Sequence, residues 1–336
     1  MRDVARSIGV SHMTVSRVVN GDKAVRPHTR KRVEDAIEQL RFSPNSAARA
    51  LSTAQSARVA LLHRFPNAGS LGDYLVHLLH ASTRAHASLI IREELADEHE
   101  KIVGELVEDG IQGAILAPPL GDDEALIAAL RASRIAIVAT GSIRHGTAIP
   151  SVGIDDRAAA RAMTEHLLAR GHRRIGMITG RENHASSLLR YQGYRDALDA
   201  AALGRDDGLV ADGLFTYQSG LIAAERLLSL AQPPSAIFAS NDDMAAATVA
   251  TAHRRGIDVP RDLSVCGFDD TPLATTVWPA LTTIRQPTLD LTRIAFEMIL
   301  REIAAPSPPG NRQRMTLDYA LVERQSDGPA NRGDAG

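Results

Sequence analysis

The sequence predicts an α/β protein in two parts. An N-terminal three-helix headpiece with a helix-turn-helix and a hinge helix precedes a two-lobed parallel α/β core. Three observations predict it. Residues 1–60 carry 11 Lys and Arg against 5 Asp and Glu, net +6, whereas residues 61–336 carry 27 against 35, net −8. Apolar residues recur at helical spacing through the first forty positions, and from Arg58 onward apolar runs alternate with helical segments. A chain of 336 residues with 44% apolar and 23% charged side chains has the material for two or three packed cores.

The first helix is read from Val4, Ala5 and Ile8, and Gly9 supplies the backbone reversal of a tight turn. The second opens at Ser11, a residue suited to an N-cap, and turns Val15, Val18 and Val19 inward before Gly21 ends it. Its outward face holds His12, Met13, Ser16, Arg17 and Asn20. Two short helices joined by a glycine turn, with hydrogen-bonding side chains outward on the second, have the form of a helix-turn-helix that enters a major groove. Such pairs also occur as plain packing units, and a basic surface can simply be solvated. A third helix runs from Pro27 to Leu40, with Val33, Ala36, Ile37 and Leu40 on one face. The alanine-rich stretch Pro44–Ser52 is too short to hold as a lone helix in water, so it folds only against a partner.

Strands of the core are read at Val59–Leu62, Ser88–Ile91, Gly113–Leu116, Ile135–Val138, Ile175–Thr179, Ala236–Ala239 and Ser264–Phe268. Runs this apolar suit parallel strands covered on both faces. Domain boundaries follow: headpiece 1–43, hinge helix and linker 44–56, first lobe 57–153 with about 286–312, second lobe 154–285 with about 313–324, and a flexible tail 325–336. A single late strand is expected over Gln313–Glu323. Ligands of open α/β sheets lie beyond the carboxyl ends of the strands, which selects Asp155 and Asp156, Ser240 to Asp243, and Asp269 with Asp270. Each Asp or Asn could also cap a following helix. His63 and Arg64, after the first strand, are further candidates for the cleft.

Composition excludes several classes. The N-terminus has charges where a signal peptide needs its apolar stretch, and no run of about 18 apolar residues exists. Cys266 is the single cysteine, which suits a reducing cytosol. His77 and His80, with His86 farther on, invite a zinc reading, but a third ligand is not placed and no metal is expected. No GxSxG elbow, Walker loop or GxGxxG follows a strand, so no cofactor and no catalytic residue is assigned.

The runs DVARSIGVSHMTVSRVVNG, TRKRVEDAIEQL and SPNSAARAL resemble the headpiece and hinge of the LacI/GalR family of bacterial transcription regulators. The resemblance implies that His12 and Met13 sit where the family reads bases and that Arg17 contacts a base edge, often guanine. It places Ser11, Thr14, Ser16 and Asn20 on the phosphate backbone. Arg26 stands where the family has a serine that caps helix 3 and touches phosphate. Asn45, Ala48 and Leu51 fall in the hinge, where the leucine wedges into the minor groove. The family has several residues before DVA, including a threonine that starts helix 1, so the start codon is expected upstream of Met1.

Further on, VGIDDRAAARAMTEHLLARGHRRIGMITG, LLRYQGYRDAL, FASNDDMAAATVATAHRRGIDVPRDLSVCGFDD and PALTTIRQP resemble the regulatory core of the same family, itself similar to periplasmic sugar-binding proteins. The resemblance makes Asp156, Arg190, Phe215, Asn241 and Asp269 the effector contacts, with Asp155, Asp242 and Asp270 capping or orienting. It implies a cytoplasmic, nucleoid-associated, effector-responsive regulator that represses carbohydrate uptake or catabolism genes. Its partners are double-stranded operator DNA, a small-molecule effector, expected to be a sugar, and a second copy of itself; no membrane is involved. The tail from Arg324 lacks apolar heptads, which favours a homodimer over a tetramer. A solute-binding protein of the same two-lobed fold, an enzyme on that scaffold, and a regulator answering to a purine or sugar phosphate stay open as alternatives.

Overall fold

The computed structural model describes residues 2–19, 26–39, 56–64, 68–94, 98–141, 149–204, 206–307 and 313–330. The chain forms two compact units, Met1–Ala57 and Arg58–Gly336. Asn20 and the expected hinge helix, with Asn45, Ala48 and Leu51, lie outside the described residues.

In the first unit, α1 (Arg2–Ile8), α2 (His12–Val19) and α3 (Pro27–Gln39) occupy the expected positions. Gly9 sits at φ +68°, and the Val10 N–H donates to the Ala5 carbonyl at 3.1 Å, which closes α1 in a Schellman arrangement. Ser11 then caps α2, its Oγ accepting the Thr14 N–H at 3.1 Å. Ala5, Val15, Val18, Val33 and Ala36 are buried together, with Ile8 and Val10 packed against them. Arg32 donates to the Ile8 carbonyl at 2.8 Å, satisfying an acceptor that the end of α1 leaves open.

The second unit contains two parallel sheets. The first holds β1 (Arg58–His63), β2 (Ser88–Glu93), β3 (Gly113–Leu116), β4 (Ala136–Thr140), β5 (Ser151–Ile154) and β11 (Arg314–Leu317), in the order β11-β5-β4-β3-β1-β2. Its strands alternate between two apolar layers. Ala60, Leu62, Ala114, Leu116 and Ile137 pack under α5 (His99–Glu108) and α6 (Glu124–Ala132). Val59, Leu61, Ile115, Val138 and Val152 pack under α4 (Ala68–Arg84) and α11 (Thr288–Ala304). Burial on both faces is why these strands read as unbroken apolar runs.

The second sheet holds β6 (Ile175–Ile178), β7 (Val210–Ala211), β8 (Ala236–Ala239) and β9 (Ser264–Cys266), in the order β7-β6-β8-β9. Its core joins α7 (Asp156–Ala169) and α8 (Ala185–Ala200) on one face to α9 (Tyr217–Leu228) and α10 (Asp242–Arg254) on the other. β10 (Thr283–Arg285) pairs antiparallel with β12 (Ala320–Val322) and bridges the chain beyond β9 at Asp269. No helix among the described residues is long and apolar enough to cross a membrane.

Two expectations need correction. The run 313–323 is not one strand of the second lobe. It breaks at Asp318 and Tyr319, so that β11 extends the first sheet beside β5 while β12 pairs with β10. The free edge of β5 offers a parallel ladder that local periodicity cannot reveal. Residues 325–330 are not a flexible tail either. Ser326 and Asp327 are buried, and Thr282 donates its N–H to the Ser326 Oγ at 2.9 Å. The Asp327 carboxylate meets His166 Nε2 at 2.8 Å and Arg170 Nε at 2.7 Å. Residues 331–336 lie outside the described residues.

Candidate functional site

In the first unit, α2 turns Val15 and Val18 into the core and leaves Met13 and Arg17, four residues apart on one face, exposed. Met13 is 67% exposed. His12 and Ser16 lie on the same helix, their side chains outside the described ones. Ser11 and Thr14 share a hydrogen bond between hydroxyls at 2.9 Å at the start of α2, so Ser11 serves as a cap. Arg26 is exposed at the start of α3, and its carbonyl accepts the Arg30 N–H at 3.0 Å.

In the second unit, Arg190 is the centre of the predicted constellation. Gly193, one turn on along α8, has no side chain where a Cβ would stand 2.1 Å from the Arg157 carbonyl. That close approach of α8 to α7 carries Arg190 to Asp156, the first residue of α7. Arg190 is buried, and its Nε donates to Asp156 Oδ1 at 2.7 Å. Its Nη1 donates to the Ser240 carbonyl at the end of β8, and its Nη2 lies 3.6 Å from Asp269 Oδ1. The guanidinium carbon sits 3.6 Å from the centre of the Phe268 ring. Thus Asp156, Arg190 and Asp269, from three separate elements, meet where strands of the second lobe end.

Asp269 and Asp270 hold φ values of +107° and +55°, a backbone that side-chain-bearing residues rarely adopt. Asp269 accepts the Gln286 amide at 2.7 Å. Enclosure pushes its carboxyl up to about 6, with Arg190 and Gln286 pulling against that rise. Behind it, Asp242 is wholly buried and accepts from the Thr271 N–H at 2.7 Å and the Thr283 hydroxyl at 2.6 Å. Burial and then the charge of Asp269 push Asp242 up to about 7.

Phe215 and Asn241 form a second pair. Asn241 Oδ1 caps α10 by accepting the Met244 N–H at 3.0 Å, and its Nδ2 donates to the Phe215 carbonyl at 3.1 Å. Phe215 has φ +60° and stacks on His184 with ring centres 5.4 Å apart. A Cβ on Gly180 would stand 1.9 Å from the Phe215 ring, so only glycine leaves room for it. Gly180 also lines a cavity of about 710 Å³ whose walls include Ser187, Tyr191, Asp212 and Leu214.

The supporting aspartates behave as caps and orienters. Asp155 caps α7 through the Ala158 N–H at 3.0 Å. Asp270 accepts from Arg285 at 2.5 Å and from Arg324 at 2.6 Å. Arg64 is spoken for within the first lobe, paired with the buried Glu94 and with Asp123 at 3.2 Å. His99 joins the same group, 2.7 Å from Glu94. Sequence reasoning did not single out Gln286, Gly180 and His184 as members of this site; Gln286 lay in the quoted run PALTTIRQP, its partner 17 residues upstream. Among the described residues, no group of three or more His, Cys, Asp or Glu is arranged to hold a metal ion.

Carboxylates that accept paired hydroxyls, an arginine donor and an aromatic face are the groups that grip a polyol. Comparison with known proteins finds a family match within each of the two units. Residues 1–45 match the model for bacterial regulatory proteins of the lacI family, and residues 164–326 match the periplasmic binding protein-like domain. The chain is 32% identical over 326 residues to catabolite control protein A of Priestia megaterium, covering 96% of this chain and 95% of that protein. A solved CelR–cellobiose complex is similar at 31% identity and a TM-score of 0.74, over 96% of this chain and 98% of the other. The lac repressor dimer bound to operator and the anti-inducer ONPF aligns at 27% identity and a TM-score of 0.85, over 97% and 98%. With a helix-turn-helix unit, a two-sheet core and likeness along nearly its whole length, the chain belongs to the lacI family of bacterial regulatory proteins.

Proposed function

We propose that the chain is an effector-responsive, sequence-specific DNA-binding transcriptional regulator that represses carbohydrate uptake or catabolism genes. The observation that carries this reading is α2: a helix held to its core by Val15 and Val18 that turns Met13 and Arg17 to solvent in a segment of net charge +6. A lone helix of this size reads few base pairs, so two copies related by a twofold bind a pseudo-palindrome. His12, Met13 and Arg17 meet base edges, and Ser11, Thr14, Ser16, Asn20 and Arg26 hold phosphates. Asn45, Ala48 and Leu51 supply the hinge, with Leu51 in the minor groove.

In the core, Asp156, Arg190 and Asp269 bind effector hydroxyls, while Phe215, held by Asn241, lies along the apolar face of the ring. A relative solved with cellobiose supports a saccharide as the effector class. Binding changes the rotation of one lobe against the other, which separates or joins the paired hinges and so alters the grip on DNA. This reading asks for recognition and no bond chemistry, and it puts the protein in the cytoplasm, on the nucleoid. A thermal-shift screen of sugars, sugar phosphates and nucleobases tests it. A sugar hit that disappears in both Asp269→Ala and Arg190→Ala supports the assigned pocket; hits that survive both unaltered place the effector elsewhere.

A further inference from the structure

Among the described residues of the first unit, Met13 is the large apolar side chain that stands exposed, 67% open on a helix whose Val15 and Val18 are turned inward. It shares a face with Arg17, in a segment whose net charge of +6 complements a polyanion. Its neighbours on that face can hydrogen-bond, and Met13 cannot do so usefully: a thioether has no donor and is only a weak acceptor. It therefore cannot grip the polar edge of a base. What it can do is bury its flexible, polarisable chain against an apolar group. The major groove offers one such group, the C5-methyl of thymine, which uracil lacks while pairing identically.

We propose that Met13 reads the methyl group of a thymine in each operator half-site, about two base steps from the base taken by Arg17. The two residues are four positions apart, about 6 Å along the helix axis, which matches about two base steps of a duplex. The proposal rests on the reading of α2 as the recognition helix and adds to it the kind of base contacted.

The test uses the full chain and the operator recovered by selection from randomised duplexes. Each thymine of the half-sites is replaced in turn by deoxyuridine, symmetrically in both halves, and affinity is measured by titration. Burying one methyl-sized group corresponds to about fourfold in affinity, so a symmetric swap at the contacted thymine is expected to weaken wild-type binding about tenfold or more. In Met13→Ala the same swap changes affinity less than twofold, and in Met13→Leu, which keeps an apolar side chain, the dependence persists. Half-sites without thymine, indifference of the wild type at every thymine, or full methyl dependence in Met13→Ala would each overturn the proposal. Failure of the underlying reading looks different: no operator is recovered at all.

Discussion

Asn241 and Phe215 are joined by a hydrogen bond of 3.1 Å from the side-chain Nδ2 of the first to the main-chain carbonyl of the second. The same amide, through its oxygen, caps α10. One side chain therefore starts a helix and holds the loop that carries an aromatic ring at positive φ.

These two duties separate by mutation. Asn241→Asp keeps the oxygen that caps α10 and loses the donor to Phe215. It is expected to lose about 1–3 kcal/mol of stability, because a carboxylate oxygen then faces the Phe215 carbonyl at a buried position, and to bind effector more weakly. Asn241→Ala loses both, with a stability cost of about 1 kcal/mol from the cap alone. Urea unfolding paired with calorimetric titration checks both variants; equal effector affinity in wild type and Asn241→Asp would remove Phe215 from the site.

Gly180 sets the seat of that ring. A Cβ there would stand 1.9 Å from it, so Gly180→Ala forces Phe215 to move. Overpacking of this kind costs roughly 1–3 kcal/mol. The variant should fold, with effector binding reduced at least tenfold. The drop in quenching or heat on ligand titration reports it, and unchanged binding would show that the ring is not a ligand wall.

Asp242 makes stability depend on pH in a defined direction. Its folded value is raised to about 7, so between about pH 4 and pH 7 the folded state holds a proton that the unfolded state has released. Its contribution to stability is therefore present at low pH and declines as pH rises through 7. Asp242→Asn, which stays neutral, should flatten this part of the profile. Urea midpoints at pH 5 and pH 8 should differ less in the variant than in the wild type; equal differences would mean that Asp242 is ionised throughout.

Much of this architecture was legible because burial writes itself into composition. β1, β3 and β8 are covered on both faces and read as apolar runs, and Gly9 and Ser11 mark the headpiece turn by their own local chemistry. β5, with Ser151 and Gly153 in four residues, and β7, with two residues, are too short or too mixed to stand out. The split of 313–323 between two sheets is a matter of which edge lies open, which no window of sequence contains. In the core, the strand-end rule pointed to Asp156 and Asp269, and the family resemblance supplied Arg190. Gln286 reaches Asp269 only because β10 runs beside the chain that follows β9, a register set by tertiary packing. Asn241 shows the other limit: the residue type that could grip a ligand is also the one that starts a helix, and here its oxygen starts the helix.

The most direct measurement is a gel-shift titration of the full-length protein on duplexes enriched from a randomised pool, with and without the sugar that stabilises the core. The account predicts a pseudo-palindromic sequence bound far more tightly than bulk DNA, and a clear displacement of the binding curve when the sugar is added. A protein that enriches no sequence, or whose grip on its preferred sequence ignores every stabilising metabolite, would contradict it.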